Sequence, residues 1–207
     1  MRGVVITGGK APQTAVVLRW TESAGIVVAA DSGLETAIRC GLHPDFVVGD
    51  FDSLGSPELL SDFRESQILR YPRDKEETDT EIAVRVSRER GADEIVIIGG
   101  GGGQMAHFVG ILSLFDRPDP PSVWVTDSAE FTCVTSSVSI TGQAGDLIGF
   151  FPIGCERCEM RSEGLKWPLD DVVWNRGDIG VSNELSGTKA EVQMERGRLL
   201  MIRDLEA

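Results

Sequence analysis

The sequence predicts two successive structural units: an α/β domain with a mostly parallel sheet over residues 1–118, and a smaller all-β sandwich over residues 119–207. In the first half, short and nearly all-apolar runs alternate with helix-like segments, which is typical of strands buried on both faces. The second half has short apolar or alternating runs separated by glycine and proline, without helical periodicity. Residues 117–122 hold three prolines in six positions, which indicates a stiff connection between the two units.

The first half is expected to contain strands that each end in a polar or glycine-rich turn. These strands cover residues 4–7, 26–30, 46–48, 68–71 and 94–98. Helices are expected at residues 12–20, 34–40, 57–65 and 104–115, with a further helix between Thr78 and Gly91.

Two of these helices begin with specific signals. Thr78-Asp79-Thr80-Glu81 fits a capping box, in which Thr78 is the N-cap and Glu81 the third helical residue. Glu81 is also expected to pair with Arg85, one helical turn further on. Ser56 is expected to cap the helix over residues 57–65, because Pro57 then takes the favoured first helical position.

The strands of the second half are expected at residues 123–126, 131–134, 147–151, 190–194 and 199–203, all within the all-β domain.

Composition narrows the range of functions. The chain has 207 residues, a formal net charge of -13 and a pI of about 4.6, so nucleic acids and anionic membranes are poor partners. It shows neither a membrane-length apolar run nor a signal-peptide pattern, and a cytoplasmic location is expected. Cys155 and Cys158 have C-x-x-C spacing, but no second cysteine pair or nearby histidine completes a zinc site. We therefore expect free thiols in a loop.

In an open α/β sheet, ligands bind beyond the carboxyl ends of the strands. The turns that follow the predicted strands carry glycines or charged side chains. They are Gly8, Gly9, Asp31, Asp50, Asp52, Arg73, Asp74, Lys75, Asp79 and residues 99–103, followed by Gln104. Their coincidence on one edge favours a metal-phosphate site, although each feature alone is also compatible with an ordinary surface turn.

Asp50 and Asp52 are the most informative pair in that set. They follow the apolar run at residues 46–48 and lie two positions apart, so in extended backbone their carboxylates point to the same side. Mg²⁺ takes carboxylate and phosphate oxygens as ligands, and Lys75 could add positive charge for phosphates. The alternative is an acidic turn in which Ser53 or Asp52 caps the next helix.

Five segments together resemble thiamine pyrophosphokinases in order and spacing. They are Ala-Ala-Asp-Ser-Gly at 29–33, Pro-Asp-Phe-Val-Val-Gly-Asp-Phe-Asp-Ser at 44–53, Tyr-Pro-Arg-Asp-Lys-Glu-Glu-Thr-Asp-Thr-Glu-Ile-Ala at 71–83, Gly-Leu-Lys-Trp-Pro-Leu at 164–169 and Gly-Val-Ser-Asn-Glu at 180–184. The resemblance implies a homodimer of α/β and β-sandwich domains. It implies a reaction in which the pyrophosphoryl group of ATP moves to the hydroxyl of thiamine and AMP is released.

The resemblance also implies roles for individual residues. Asp50, Asp52 and Asp79 would handle Mg²⁺, with Lys75 beside them in the catalytic set. Asp31, Asp74, Lys75 and Thr78 would lie around the nucleotide phosphates. Their position at the sheet edge makes Gly8, Gly9 and Gln104 further candidates for nucleotide binding. Trp167, Ser182 and Asn183 would contact thiamine across the dimer interface. Trp167 offers a π face for the cationic thiazolium ring, and the alternative for it is a half-buried aromatic of the β domain.

One stretch departs from the family pattern. After the fifth strand the family usually has Gly-Arg-x-Asp-His, with an asparagine four residues past the histidine. This chain has Gln104 and Ala106 for the arginine and aspartate, and Ile111 for the asparagine. Three outcomes fit: a working enzyme, a changed acceptor such as a hydroxymethylpterin or another heterocyclic alcohol, or a non-catalytic nucleotide- or thiamine-binding relative.

Overall fold

The computed structural model describes residues 1–170 and 172–205, which form two compact units. Unit 1 consists of Met1–Ile111 together with Val123–Ser128. Unit 2 consists of Leu112–Ser122 and the described residues from 129 onward. The predicted fold class is confirmed: an α/β unit with a parallel sheet comes first, and an antiparallel β-sandwich follows.

Among the described residues, unit 1 has six strands. They are β1 (Arg2–Ile6), β2 (Ile26–Ala30), β3 (Phe46–Gly49), β4 (Ile68–Arg70), β5 (Glu94–Ile98) and β6 (Val123–Val125). They lie in the order β6-β5-β1-β2-β3-β4, and each neighbouring pair is parallel. Their carboxyl ends therefore lie along one edge of the sheet, as the sequence predicts.

Strand β6 corrects the prediction for residues 123–126. That run was expected in the all-β domain, but Val123–Val125 pairs in parallel with β5 and belongs to unit 1. All three residues are buried. A run this short without polar alternates has the same pattern in a parallel sheet as in a sandwich core, so its sequence does not distinguish them.

The helices of the described chain are α1 (Thr14–Thr21), α2 (Gly33–Arg39), α3 (Asp79–Glu89) and α4 (Met105–Leu114). The predicted helix over residues 57–65 was wrong in type. Pro57–Asp62 and Glu65–Gln67 are 3₁₀ helices, and the Ser56 side chain makes no capping hydrogen bond. None of the residues in these segments is buried, so no apolar face stabilises a longer α-helix there.

The capping box of α3 is confirmed. Glu81 Oε2 accepts hydrogen bonds from Thr78 N and Thr78 Oγ1, both at 2.8 Å, and Glu81 N donates to Thr78 Oγ1 at 3.3 Å. The helix buries Ile82, Ala83 and Val86. Arg85 forms ion pairs with Glu77 at 3.0 Å and with Glu89 at 3.1 Å, and its expected pairing with Glu81 stays a prediction.

Unit 2 is built from strands in two antiparallel sheets. The strands are β7 (Ala129–Val134), β8 (Ser137–Thr141), β9 (Leu147–Pro152), β10 (Arg157–Glu163), β11 (Val173–Asn175), β12 (Gly180–Glu184), β13 (Lys189–Arg196) and β14 (Leu199–Asp204). One sheet has the order β12-β9-β14-β7 and the other β11-β10-β13-β8. A single apolar cluster joins them, with Phe150 and Leu199 from the first sheet and Cys158 and Val192 from the second.

No helix in the described parts of the chain is long and apolar enough to cross a bilayer.

Candidate active site at the sheet edge

The turns after β2 and β3 place carboxylates at the carboxyl edge of the parallel sheet through uncommon backbone conformations. Asp31 has φ 47° and Phe51 has φ 63°, values that few residues other than glycine adopt. The Asp31 N–H donates to Val48 O at 2.8 Å, which ties the first turn to β3. These turns therefore hold their side chains in fixed directions.

Asp31 is 8% exposed, and only one of its two carboxylate oxygens accepts a hydrogen bond from the described residues. Its Oδ2 accepts a hydrogen bond from Ser53 Oγ. Its Oδ1 is buried and has no hydrogen-bond partner among the described residues. A buried carboxylate oxygen without a donor is costly, so this atom marks a position suited to a cation or a donor group.

Lys75 lies between the carboxylates of Asp50 and Asp79. Its Nζ is 3.4 Å from Asp50 Oδ2 and 3.1 Å from Asp79 Oδ1, and the three side chains are 13%, 14% and 22% exposed. Although it is this close to the ammonium group, Asp79 Oδ1 is buried and accepts no hydrogen bond within the described chain. The polar contact of this buried oxygen is therefore the ion pair with Lys75, which opposes the rise that burial causes in the pKa of Asp79.

Gly49 allows Asp31 and Asp79 to approach each other. It has φ 148°, and a Cβ added there would lie 3.3 Å from Asp31 Cβ and 3.4 Å from Asp79 Cγ. A larger residue would have to adopt a rare backbone conformation and push at least one carboxylate away.

The carboxylates differ in their acidity. A hydrogen bond from the Asp52 backbone N–H, together with the charge of Lys75, lowers the pKa of Asp50 against the effect of burial. Burial raises the pKa of Asp79, and Lys75 opposes that shift. Although burial disfavours the charged ammonium group, pairing with Asp79 and Asp50 raises the pKa of Lys75. At neutral pH, Asp50 and Lys75 are therefore charged.

Not every predicted residue joins this group. Asp52 forms an ion pair with Arg73 at 3.2 Å, and the two side chains are 46% and 85% exposed. Asp74 is exposed, and the Thr78 hydroxyl is occupied by the helix cap. Within the residues that the structure describes, no three acidic, histidine or cysteine side chains form a cluster that could hold a metal ion.

The glycines after β1 and β5 bond to each other through backbone groups. Gly100 N donates to Gly8 O at 2.7 Å, and Lys10 N donates to Gly101 O at 2.6 Å. Gly9 lies between these two contacts. Gln104 is exposed and precedes α4, where its carbonyl accepts from His107 N at 3.0 Å.

Two site contacts were missed by the sequence reasoning. Thr7, at the end of β1, lies 2.7 Å from Thr80 through their hydroxyl oxygens, and this contact joins β1 to the first turn of α3. Ser53, considered only as a cap, bonds to Asp31 instead. A threonine directly after an apolar run was the one signal in the sequence for the first contact.

In unit 2, the predicted thiamine residues Trp167 and Asn183 are joined by two hydrogen bonds, and a third bonds Asn183 to Glu184. Asn183 is 8% exposed. Its Oδ1 accepts from Trp167 N at 3.3 Å and from Glu184 N at 2.9 Å, and its Nδ2 donates to Trp167 O at 2.7 Å. The amide thus fixes the backbone of Trp167, while Ser182 is an exposed residue of β12.

The Trp167 side chain is 50% exposed, and Lys166 Nζ lies 4.5 Å from its ring centroid. Glu184 holds that ammonium group at 2.8 Å. The ring therefore already attracts one cation, which is the property expected of a face that binds a cationic heterocycle.

Comparison with known proteins identifies the family. Residues 17–123 match the family described as "Thiamin pyrophosphokinase, catalytic domain". The chain belongs to the thiamin pyrophosphokinase family. Residues 136–199 match the description "Thiamin pyrophosphokinase, vitamin B1 binding domain". The predicted membership is therefore confirmed, and the chain is an enzyme of the thiamine diphosphokinase class.

Individual members of the family align along the whole chain. The thiamine pyrophosphokinase of Bacillus subtilis (strain 168) is 24% identical over 209 residues, which cover 98% of each chain. The crystal structure of the Geobacillus thermodenitrificans thiamin pyrophosphokinase has a TM-score of 0.76 and 26% identity, over 100% of this chain and 99% of that chain. The crystal structure of the Bacillus subtilis protein has a TM-score of 0.82 at 21% identity, with both chains covered to 100%.

The departures from the thiamin pyrophosphokinase pattern lie on and before α4. Gln104 and Ala106 are exposed, so neither has a packing role that would explain its identity. Ile111 is 5% exposed and its side chain packs against Gly100. An apolar contact thus anchors α4 at the position where the family usually has an amide.

Proposed function

We propose that the protein transfers the pyrophosphoryl group of ATP to the hydroxyl of thiamine, with Mg²⁺ as the metal, and produces thiamine diphosphate and AMP. The thiamine hydroxyl oxygen attacks the β phosphorus, the bond from that phosphorus to the α-phosphate oxygen breaks, and AMP leaves. Such a transfer needs alignment and positive charge more than covalent help from the protein.

The observation that carries this proposal is the group formed by Asp31, Asp50, Lys75 and Asp79 at the carboxyl edge of the sheet. Lys75 Nζ is within 3.4 Å of both Asp50 and Asp79, so one cation is already placed among converging carboxylates. Lys75 is the residue that we expect to bind the transferring phosphate oxygens, because its ammonium group is held by two partners and is only 13% exposed.

The donor set suits a hard divalent cation. Asp31 Oδ1 is a buried carboxylate oxygen that accepts no hydrogen bond from the described residues, and Asp79 Oδ1 is buried beside the Lys75 ammonium group. Mg²⁺ takes such carboxylate oxygens as ligands. We assign Asp50 and Asp79 to the metal, with Asp52 as a third ligand once its exposed pair with Arg73 opens. When bound, Mg²⁺ would neutralise charge on the phosphate oxygens.

The thiamine side of the proposal rests on unit 2. Trp167 would contact the cationic thiazolium ring through its exposed face, and Ser182 would offer a hydroxyl from β12. We propose that Asn183 acts through Trp167, because the polar atoms of its side chain bond to the backbone of Trp167 and Glu184. We propose that the nucleotide is bound near Gly8, Gly9, Asp74, Thr78 and Gln104.

A homodimer and a cytoplasmic location are further parts of the proposal. Leu147, Ile179 and Val181 are 56%, 68% and 63% exposed, and they lie on or beside β9 and β12 of unit 2. A second copy that covers these side chains would remove apolar surface from water. Light scattering of the purified protein tests the dimer, and a monomeric mass at micromolar concentration would contradict it.

An alternative acceptor is the second candidate, because Gln104 and Ala106 replace the arginine and aspartate of the family pattern. The deciding experiment measures AMP release from ATP and Mg²⁺ with thiamine, with hydroxymethylpterin and with no acceptor. We expect release only with thiamine. Release only with the pterin, or saturable thiamine binding without AMP, would replace the proposal by one of its alternatives.

A pair of variants sharpens that experiment. Ala106→Asp restores the acid of the family pattern at an exposed position, while Met105→Asp adds the same charge to the neighbouring residue, which is 71% exposed. We expect Ala106→Asp alone to raise kcat/KM for thiamine, by about tenfold for a gain of one hydrogen bond. An equal gain in both variants would indicate a nonspecific charge effect.

A further inference from the structure

Cys155 and Cys158 form a pair of thiols in unit 2 that the proposed reaction does not use. Their sulfur atoms are 3.2 Å apart. Both point to the same acceptor, since Cys158 Sγ donates to Arg198 O at 3.0 Å and Cys155 Sγ donates to it at 3.6 Å. The C-x-x-C spacing of the sequence therefore corresponds to two thiols in direct contact.

The turn between β13 and β14 leaves room for this pair. Gly197 has φ 75°, and a Cβ added there would lie 3.0 Å from Cys155 Sγ, 3.1 Å from Cys158 Sγ and 2.4 Å from Arg157 O. A side chain at residue 197 would therefore press on both sulfur atoms and on the backbone between them. The backbone at Gly197 therefore packs directly against the two thiols.

The two thiols differ in access. Cys155 is partly exposed in the connection between β9 and β10, whereas Cys158 is 0% exposed in the sandwich core. Burial, together with the hydrogen bond shared with Cys155, raises the pKa of Cys158 to about 12. An external reagent would therefore meet Cys155 first, and Cys158 would act second.

We propose that Cys155 and Cys158 are a reversible thiol–disulfide site that reacts with small organic disulfides. The Cys155 thiolate attacks one sulfur of the external disulfide, the external S–S bond breaks, and one thiolate leaves. Cys158 then loses its proton to that thiolate and attacks Cys155 Sγ. The second thiolate leaves and takes up from solvent the proton that Cys155 lost to solvent when it ionised. In total, two protein thiols and one external disulfide give one protein disulfide and two external thiols.

The fold can accommodate the oxidised form. A disulfide has an S–S distance of about 2.05 Å, so sulfurs already in contact need to move by only about an ångström. Oxidation removes the two S–H donors to Arg198 O, but Ile153 N still donates to that carbonyl at 3.3 Å. The neighbouring pairing of Leu199 with Pro152 also involves no thiol.

The test counts free thiols in the full-length protein. Protein reduced with dithiothreitol and freed of it is incubated with oxidised glutathione, unfolded, labelled with N-ethylmaleimide and weighed intact. The reduced protein should take one label on each of its 4 cysteines. We expect the oxidised protein to take two fewer labels, without bound glutathione, and to recover both after dithiothreitol. Retention of all the labels, or a stable glutathione adduct, would overturn the proposal.

Variants identify the partners. Cys133 is the matched control, because burial raises the pKa of its thiol as well and it interacts electrostatically with Cys155. Cys133→Ser should still lose two labels, and Cys155→Ser should lose none. Cys158→Ala, chosen because an apolar residue suits that buried position, should stop at a glutathione adduct. A bridge that persists in Cys155→Ser, or that disappears in Cys133→Ser, would contradict the assignment.

Discussion

The carboxyl edge of the parallel sheet in unit 1 and the Trp167–Asn183 region of unit 2 arrange their buried polar groups in opposite ways. At the sheet edge, Asp31 Oδ1 and Asp79 Oδ1 are buried and accept no hydrogen bond from the described chain. In unit 2, the oxygen and the nitrogen of the buried Asn183 amide are both bonded. We propose that the first region receives the charge of a bound group, whereas the second supports the exposed ring of Trp167.

This difference implies that the two regions fail in different ways when altered. Loss of charge at the sheet edge should affect turnover, because we propose that transition-state charge is stabilised there. Loss of a bond in unit 2 should affect stability and the affinity for thiamine, because geometry is maintained there. Four substitutions test the distinction.

The largest effect is expected from Asp50→Asn. The substitution keeps the shape of the side chain but removes the charge that faces Lys75 Nζ. We expect kcat to fall roughly a hundredfold to a thousandfold, while the protein stays folded. AMP formation measures kcat, and urea unfolding checks the fold.

The matched control is Asp62→Asn, at an exposed carboxylate of the first 3₁₀ helix. Its activity should remain within twofold of the unaltered protein. Equal losses in both variants, or an Asp50→Asn protein of full activity, would remove the role assigned to the sheet edge.

Asn183→Ala should chiefly affect stability. It leaves Trp167 N, Trp167 O and Glu184 N without their side-chain partner, so the free energy of unfolding should fall by about 1–3 kcal/mol. KM for thiamine should rise several-fold while KM for ATP stays constant. Thr188→Ala, at an exposed residue beyond β12, is the control for urea unfolding. An equal loss of unfolding free energy in that variant would show that the hydrogen bonds of Asn183 are not the cause.

Trp167→Ala should weaken thiamine binding without unfolding the protein. Removal of an exposed cation–π contact corresponds to about a twofold to fivefold rise in KM for thiamine. Trp167→Phe keeps an aromatic ring, so its KM for thiamine should lie between those of the unaltered protein and Trp167→Ala. If alanine and phenylalanine give the same KM as tryptophan, the ring does not contact thiamine.

Thr78→Ala should have the smallest effect. It removes the N-cap of α3, whose first residue is Asp79, at a cost of about 1 kcal/mol in unfolding free energy. Thr78→Ser keeps the hydroxyl and should restore that stability in urea unfolding. A Thr78→Ser protein as unstable as Thr78→Ala would show that the methyl group matters and the cap does not.

The sequence predicted best where local chemistry determines the structure. The capping box at Thr78 and Glu81 needs only residues three positions apart, and it formed as expected. The apolar run over Glu94–Ile98 became β5 because it is buried on both faces. The convergence of Asp31, Asp50 and Asp79 followed from the parallel order of the strands, which the alternation of strands and helices implies.

The sequence predicted less where contacts between distant residues determine the strands and the side-chain partners. In β10, Cys158 and Met160 face the core between charged residues, so the strand was missed. The strands β8, β11 and β12 are short or largely exposed and were also missed. The contact of Asn183 with Trp167 joins residues 16 positions apart, and no sequence pattern indicates it. The ion pair of Asp52 with Arg73 was also not predicted, because the partner of an exposed charge depends on the local geometry of the two turns.

The proposed reaction moves a pyrophosphoryl group in one step from ATP to thiamine. The most direct measurement uses ATP radiolabelled at its β phosphorus, with Mg²⁺ and thiamine, and separates the products by chromatography. We predict that the label appears in thiamine diphosphate, with an equal amount of unlabelled AMP. Label retained in ADP beside thiamine monophosphate would mean transfer of a single phosphoryl group, and label retained in ATP would mean that thiamine is not the acceptor.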